Sequence, residues 1–118
     1  MTESKKTGRK LVDLIVAAAE AKLAGDIIAL DVSRASSLTD WLVICSGEAA
    51  PQLRAIVDAI AESLKKNRLK KYKWEGVTGS GWLVLDLGSV VVHVMAAAER
   101  DYYRLEDLWG KDAVVYHY

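Results

Sequence analysis

The sequence predicts one α/β domain, a mixed β-sheet flanked by helices in the order α-β-β-α-β-β-β-α. Three observations carry that expectation: two stretches with helical apolar spacing, several short β-rich runs, and a two-residue glycine turn joining the last two runs. With 118 residues, 52% of them apolar, the chain can bury one core and has no length for a second domain.

Residues 1–9 read as a frayed polar tail, with the folded domain expected over 10–109. From Leu11, the apolar positions Leu14, Ile15 and Ala18 recur at helical spacing. Gly25 is expected to stop that helix as a left-handed cap. Ile27 to Val32 is almost continuously β-favouring, as in a strand covered on both faces. A polar connection leads to a second apolar strand, Trp41 to Cys45, closed by Ser46-Gly47. Pro51 suits a first helical turn, where its missing N–H costs nothing. Leu53, Ile56, Val57, Ile60 and Leu64 then mark one stripe of a helix ending near Asn67. Tyr72 to Glu75 is a short extended piece before a glycine-rich loop, 76–81. A last helix is expected from about Glu99 to Trp109, with Tyr102, Leu105 and Trp109 on one face. Residues 110–118 form an extension to which the sequence assigns no role.

The two runs Trp82–Leu87 and Val90–Met95 flank Gly88-Ser89, which fits a type II′ hairpin turn. Pairing Leu87 with Val90 puts Asp86 opposite Val91, Val84 opposite His93 and Trp82 opposite Met95. One face then holds Leu83, Leu85, Leu87, Val90, Val92 and Val94, all aliphatic. The other holds Trp82, Val84, Asp86, Val91, His93 and Met95, apolar yet carrying an ionisable pair. The first is core and the second a partly open face. Asp86 and His93 are diagonal neighbours there, expected as a structural polar pair or as two residues bonded separately to nearby backbone, and not as a catalytic dyad.

Composition excludes several functions. Lys and Arg total 16, Asp and Glu 16, so the chain is not built to coat nucleic acid or an anionic membrane. The first 73 residues carry 13 basic and 9 acidic side chains and the rest 3 and 7, which gives a basic and an acidic side. One cysteine, Cys45, rules out a disulfide framework and a multi-cysteine zinc site, and fits a reducing cytoplasm. Neither a secretory leader nor a membrane span is readable.

Enzyme chemistry has little to stand on. Only His93 and His117 exist, and neither H-E-x-x-H nor G-x-S-x-G spacing occurs. Gly79-Ser80-Gly81 lacks the third glycine and following helix of a dinucleotide loop, and no Walker lysine is present. A nucleotidyl transferase needs paired carboxylates one residue apart on a strand to hold Mg²⁺, and none is found. No cofactor is expected. The run from Lys65 to Lys73 has six basic residues in nine. A solvated helix end explains it better than RNA backbone contact, since only Tyr72 could stack on a base. Trp82 can be read as an interface anchor or as a core residue covered by the last helix, and Trp74 and Glu75 stand beside the glycine loop near it.

Further residues supply a resemblance. Ser37-Leu38-Thr39-Asp40-Trp41, Glu75-Gly76, Gly81-Trp82-Leu83-Val84-Leu85-Asp86-Leu87-Gly88, Val91-Val92-His93-Val94-Met95 and Tyr103-Arg104-Leu105-Glu106-Asp107-Leu108-Trp109 resemble the bacterial ribosomal silencing factor, or Iojap, family, in order and spacing. The resemblance implies a nucleotidyltransferase-like outline without catalytic carboxylates, and no enzyme activity. It implies a translation repressor that binds the large ribosomal subunit through its fourteenth protein and blocks small-subunit joining when nutrients are short. A homodimer is also implied, and nucleic-acid contact is at most incidental. Partner contacts are expected at Trp74, Glu75, Gly76, Trp82, Val84, Asp86 and Met95. The alternatives are an RNA-binding module using residues 65–73 or, with less support, a nucleotidyltransferase-like enzyme. Glu48-Ala49-Ala50-Pro51 departs from the polar stretch usual before the second helix in this family.

Overall fold

The computed structural model describes residues 2–69, 72–76, 80–109 and 112–118, with side chains from Gly8 onward. In chain order they form α1 (Thr2–Ala21), β1 (Gly25–Asp31), β2 (Trp41–Gly47), α2 (Ala50–Lys66), β3 (Lys73–Glu75), β4 (Trp82–Asp86), β5 (Val90–Ala96), α3 (Ala97–Tyr103), a 3₁₀ turn (Leu105–Leu108) and β6 (Val114–His117). The strands make one sheet in the order β3-β4-β5-β2-β1-β6, with β2–β5 parallel and every other pair antiparallel. The mixed α/β architecture is the one the sequence predicts, with a sixth strand added.

Side chains alternate across the sheet, so the central strands β1, β2 and β5 feed two cores. On one face Ile27, Ala29, Trp41, Val43, Cys45, Val90, Val92 and Val94 meet Val12, Ile15 and Ala19 of α1 and Leu53, Ile56, Ile60 and Leu64 of α2. On the other, Ile28, Leu30, Val32, Leu42, Ile44 and Met95 form a smaller core, roofed by Leu105, Trp109 and Ala113. All seven residues of β2 are buried, as befits a central strand covered on both sides. The hairpin register is the one read from the sequence, with Trp82 opposite Met95, Val84 opposite His93 and Asp86 opposite Val91. Gly88 holds φ +84° at the turn, the conformation that favours glycine there.

Three local expectations are corrected, and the C-terminal extension acquires a place in the sheet. The first helix begins at Thr2, ahead of Leu11; Met1 of the expected tail lies outside the described residues. Its left-handed stop is Leu23 (φ 60°), not Gly25. Leu23 N–H donates to Glu20 O at 3.0 Å and Ala24 N–H to Ala19 O at 3.1 Å, a Schellman closure. Gly25 instead opens β1, where a Cβ would come within 3.2 Å of Ser46 Oγ. The last helix breaks at Arg104 (φ 47°), so Tyr102 points into solvent, 81% exposed. Finally, Val114–His117 pairs along β1 as an edge strand, while Gly110 and Lys111 lie outside the described residues. Tyr116 of that strand packs on Trp41 (5.8 Å between centroids), and the Arg9 guanidinium sits 4.7 Å from the Tyr116 ring, tying α1 to β6.

Gln52 accounts for the unusual start of α2. Ala49 offers no side-chain cap. The Gln52 amide oxygen instead accepts from Glu48 N–H at 2.7 Å, and its nitrogen donates to Lys22 O and Leu23 O at 3.3 and 3.0 Å. One side chain thus satisfies groups at the end of α1 and the start of α2.

Candidate functional site

The second core covers only part of its face. Toward β3 and β4 the sheet is left largely unroofed, and Glu75, Trp82, Val84 and Asp86 of the expected partner residues fall there. Antiparallel pairing puts Glu75 opposite Val84 and Lys73 opposite Asp86 on this open side. Trp82, Val84 and His93 are half-buried, Glu75 and Asp86 exposed.

Two expected members do not lie on that surface. Trp74 pairs with Leu85, so it points to the opposite face and packs against the helix-side core, edge-on to Tyr72 at 6.4 Å. A three-residue strand has too little alternation for the sequence to say which way it points. Met95 shares the face of Trp82 but is fully buried in the smaller core. Gly76 (φ +95°) turns the chain out of β3 so tightly that a Cβ would collide with the Trp82 carbonyl oxygen. Its contribution is to bring β3 against β4. Residues 77–79 of the expected glycine loop lie outside the described residues.

Trp82 is both packed and accessible. Its Nε1–H donates to His93 Nδ1 at 3.0 Å, and its ring meets Tyr103 of α3 with centroids 4.7 Å apart. Burial pushes the His93 pKa down to about 4, so the ring is neutral and able to accept. Asp86 is bonded elsewhere: Oδ1 accepts from Gly88 N–H at 2.8 Å and braces the hairpin turn. Asp86 and His93 are therefore satisfied separately, Asp86 by backbone as expected and His93 by the Trp82 side chain rather than by backbone. His117 lies on β6, with β2 and β1 between it and the strand of His93.

Beside Trp82 opens a cleft of about 460 Å³ between β4 and α3, lined by Glu75, Ser80, Trp82, Val84, Glu99 and Tyr103. Glu99 and Tyr103 were not among the expected residues. They are one turn apart on a helix whose buried face the sequence predicts through Tyr102 instead. The aromatic pair one residue later was the available clue. Glu99 lies against Gly81, where a Cβ would come within 2.9 Å of its carboxyl carbon. Glycine at 81 (φ +75°) lets the helix approach the strand.

The remaining candidates are structural. Cys45 is buried and its thiol is pushed up to about 12 by desolvation, against a smaller opposing pull from Arg100. Arg100 is itself buried; it donates to the carbonyls of Gly25 and Asp26 and faces Glu106 at 3.5 Å, fastening α3 to the start of β1. In the basic run, Lys66 pairs with Glu62 at 3.5 Å and Arg68 (φ 62°) closes the end of α2, while Lys70 and Lys71 lie outside the described residues. Among the described residues, no group of three His, Cys, Asp or Glu side chains could hold a metal, and no helix is long and apolar enough to cross a membrane.

Comparison with known proteins gives this geometry its context. The family model described as "Ribosomal silencing factor during starvation" matches residues 5–117. A ribosomal silencing factor of Bacillus subtilis is 39% identical over 102 residues, covering 86% of each chain. One from Haemophilus influenzae is 34% identical over 100 residues, 85% of this chain and 98% of that one. A crystal structure of a Chromobacterium violaceum protein superposes with a TM-score of 0.82 at 35% identity, covering 86% of this chain and 85% of the other.

Proposed function

The chain belongs to the ribosomal silencing factor family, and from that premise we propose that it represses translation in the cytoplasm by occupying the large ribosomal subunit. The contact is made through the subunit's fourteenth protein, and the bound factor stands where the small subunit would join. Such a mechanism needs an interface and nothing else, so the protein works without turnover and without a cofactor.

The observation that carries this reading is the open end of the second sheet face. A half-buried Trp82, locked by His93 and Tyr103, sits among exposed Glu75 and Asp86 with Val84 between them. A rigid aromatic ringed by polar groups has the anatomy of an interface anchor. The carboxylates favour a basic protein surface and disfavour RNA phosphates, and their charge speeds the encounter. Residues 74–118 carry seven acidic and three basic side chains, consistent with that polarity. A homodimer belongs to the same proposal; light scattering at micromolar concentration that returned the 13.0 kDa monomer mass would remove it.

Sedimentation with separated subunits tests the main reading. The protein is expected to travel with large subunits and to prevent their association with small ones. Binding to small subunits alone, or magnesium-dependent nucleotide turnover, would refute it.

A further inference from the structure

The cleft beside Trp82 has a shape and charge that the open face as a whole does not. Its aromatic side is Trp82 and Tyr103, tilted 45° to one another with centroids 4.7 Å apart. Two carboxylates, Glu75 from β3 and Glu99 from α3, line the same space. Neither has an ion-pair partner among the described residues, although five such pairs occur elsewhere. Tyr103 is 49% exposed and Glu99 half-buried, so the pocket is reachable from solvent.

We propose that this cleft receives a single arginine side chain of the docked protein partner, with Glu99 and Tyr103 as its specificity-determining residues. The assignment rests on the docking reading above and deepens it. A guanidinium is planar, stacks on aromatic faces, and donates hydrogen bonds to carboxylates in a fixed fork. A cleft with aromatic rings and two carboxylates satisfies all of those preferences. An ammonium would use the charge but not the stacking, and a phosphate would be repelled. Tyr103 has a double part: it buttresses Trp82 and offers a ring face to the incoming group. The docked arginine would give the acidic pair the counter-charge that it lacks among the described residues.

The experiment measures binding to purified large subunits by sedimentation over a series of salt concentrations. Glu99→Lys is expected to weaken binding at least ~10-fold, since it repels a buried cation at the interface. Glu99→Gln should weaken it about 3-fold and flatten its salt dependence, the expected loss of a charge-assisted bond. Tyr103→Ala should fall between them, while Glu20→Lys, on the exposed side of α1, should bind as the parent does. At equal ionic strength, sub-denaturing guanidinium chloride should compete better than sodium chloride against the parent, and equally against Glu99→Gln.

Parent binding with all cleft variants unaffected would overturn the cleft and leave the docking reading intact. Tighter binding by Glu99→Lys would overturn it in favour of contact with ribosomal RNA. Equal competition by the two salts against the parent would overturn the arginine assignment. Failure of the parent itself to bind large subunits would overturn the docking reading and the cleft together. Glu99→Lys should melt as the parent does and Tyr103→Ala slightly below it, through lost packing on Trp82; loss of cooperative folding in either would overturn the separation of cleft from core.

Discussion

The two faces of the sheet are built from the same strands and finished differently. On one, two amphipathic helices seal the central strands, and Val12, Ile15, Leu53, Ile56, Ile60 and Leu64 are at most 1% exposed. On the other, the chain has only a short helix and the 3₁₀ segment after it, whose Leu105, Trp109 and Ala113 roof β1, β2 and the end of β5 while most of β3 and β4 stays open. Stability is thereby concentrated on one side and recognition on the other. A half-finished face does not weaken the domain, because its bare strands are the flanking ones and their inner side is still packed.

The largest expected effect comes from opening the sealed face. Ile60→Ala should cost about 2–5 kcal/mol of unfolding free energy, the range for emptying a fully buried aliphatic site, read as a fall in the urea midpoint. Trp82→Ala should separate the two faces: a loss of about 2 kcal/mol in subunit binding, near 30-fold, with a smaller loss of stability than Ile60→Ala. If Trp82→Ala instead unfolds the domain as readily as Ile60→Ala, the faces are not functionally distinct.

The open side also carries a pH dependence in the acid range, whereas the buried Cys45 thiol of the sealed side is shifted upward and acts only at alkaline pH. His93 is held neutral, with its pKa lowered by burial to about 4 against about 6.5 when unfolded. The unfolded chain therefore binds a proton first as pH falls. Stability should be independent of this group above about pH 6.5 and should drop as pH falls toward about 4, by up to roughly 1.4 kcal/mol per pH unit. Urea unfolding from pH 7 to pH 4 measures the slope, and His93→Gln should flatten it. The same protonation removes the acceptor for Trp82 Nε1–H, so tryptophan emission should change over the lower part of that window.

The smallest effect concerns helix termini. Leu23 occupies a left-handed position with its side chain 83% exposed. Leu23→Gly should raise stability by up to about 1 kcal/mol, because glycine adopts that conformation without the Cβ penalty. Gln52→Ala should lower it by about 1 kcal/mol, through the bonds joining α1 to α2.

Legibility in the sequence follows the same division. The sealed face was readable because long periodic helices and a two-residue glycine turn each have one solution: the stripe through Leu53, Ile56, Ile60 and Leu64, and the register from Leu87–Val90 outward. The open side was half-readable. Trp82, Val84 and Asp86 followed from the hairpin, since alternation over five residues fixes a face. Trp74 did not, because β3 has three residues and its direction is set by pairing with β4. Met95 was read onto the right face, but only the C-terminal segment decides that it is covered. Glu99 and Tyr103 could not be placed without knowing that the helix breaks at Arg104, a left-handed residue whose side chain gives no hint of it. The four residues of β6 were too few to stand out before β1 offered them a partner.

Hydrogen exchange of the protein bound to purified large subunits, compared with the free protein, tests the central claim most directly. The account predicts added protection in β3, β4 and the first turns of α3, with the exposed side of α1 and α2 unchanged. Protection confined to α1 and α2, with β3 and β4 exchanging as in the free chain, would contradict it.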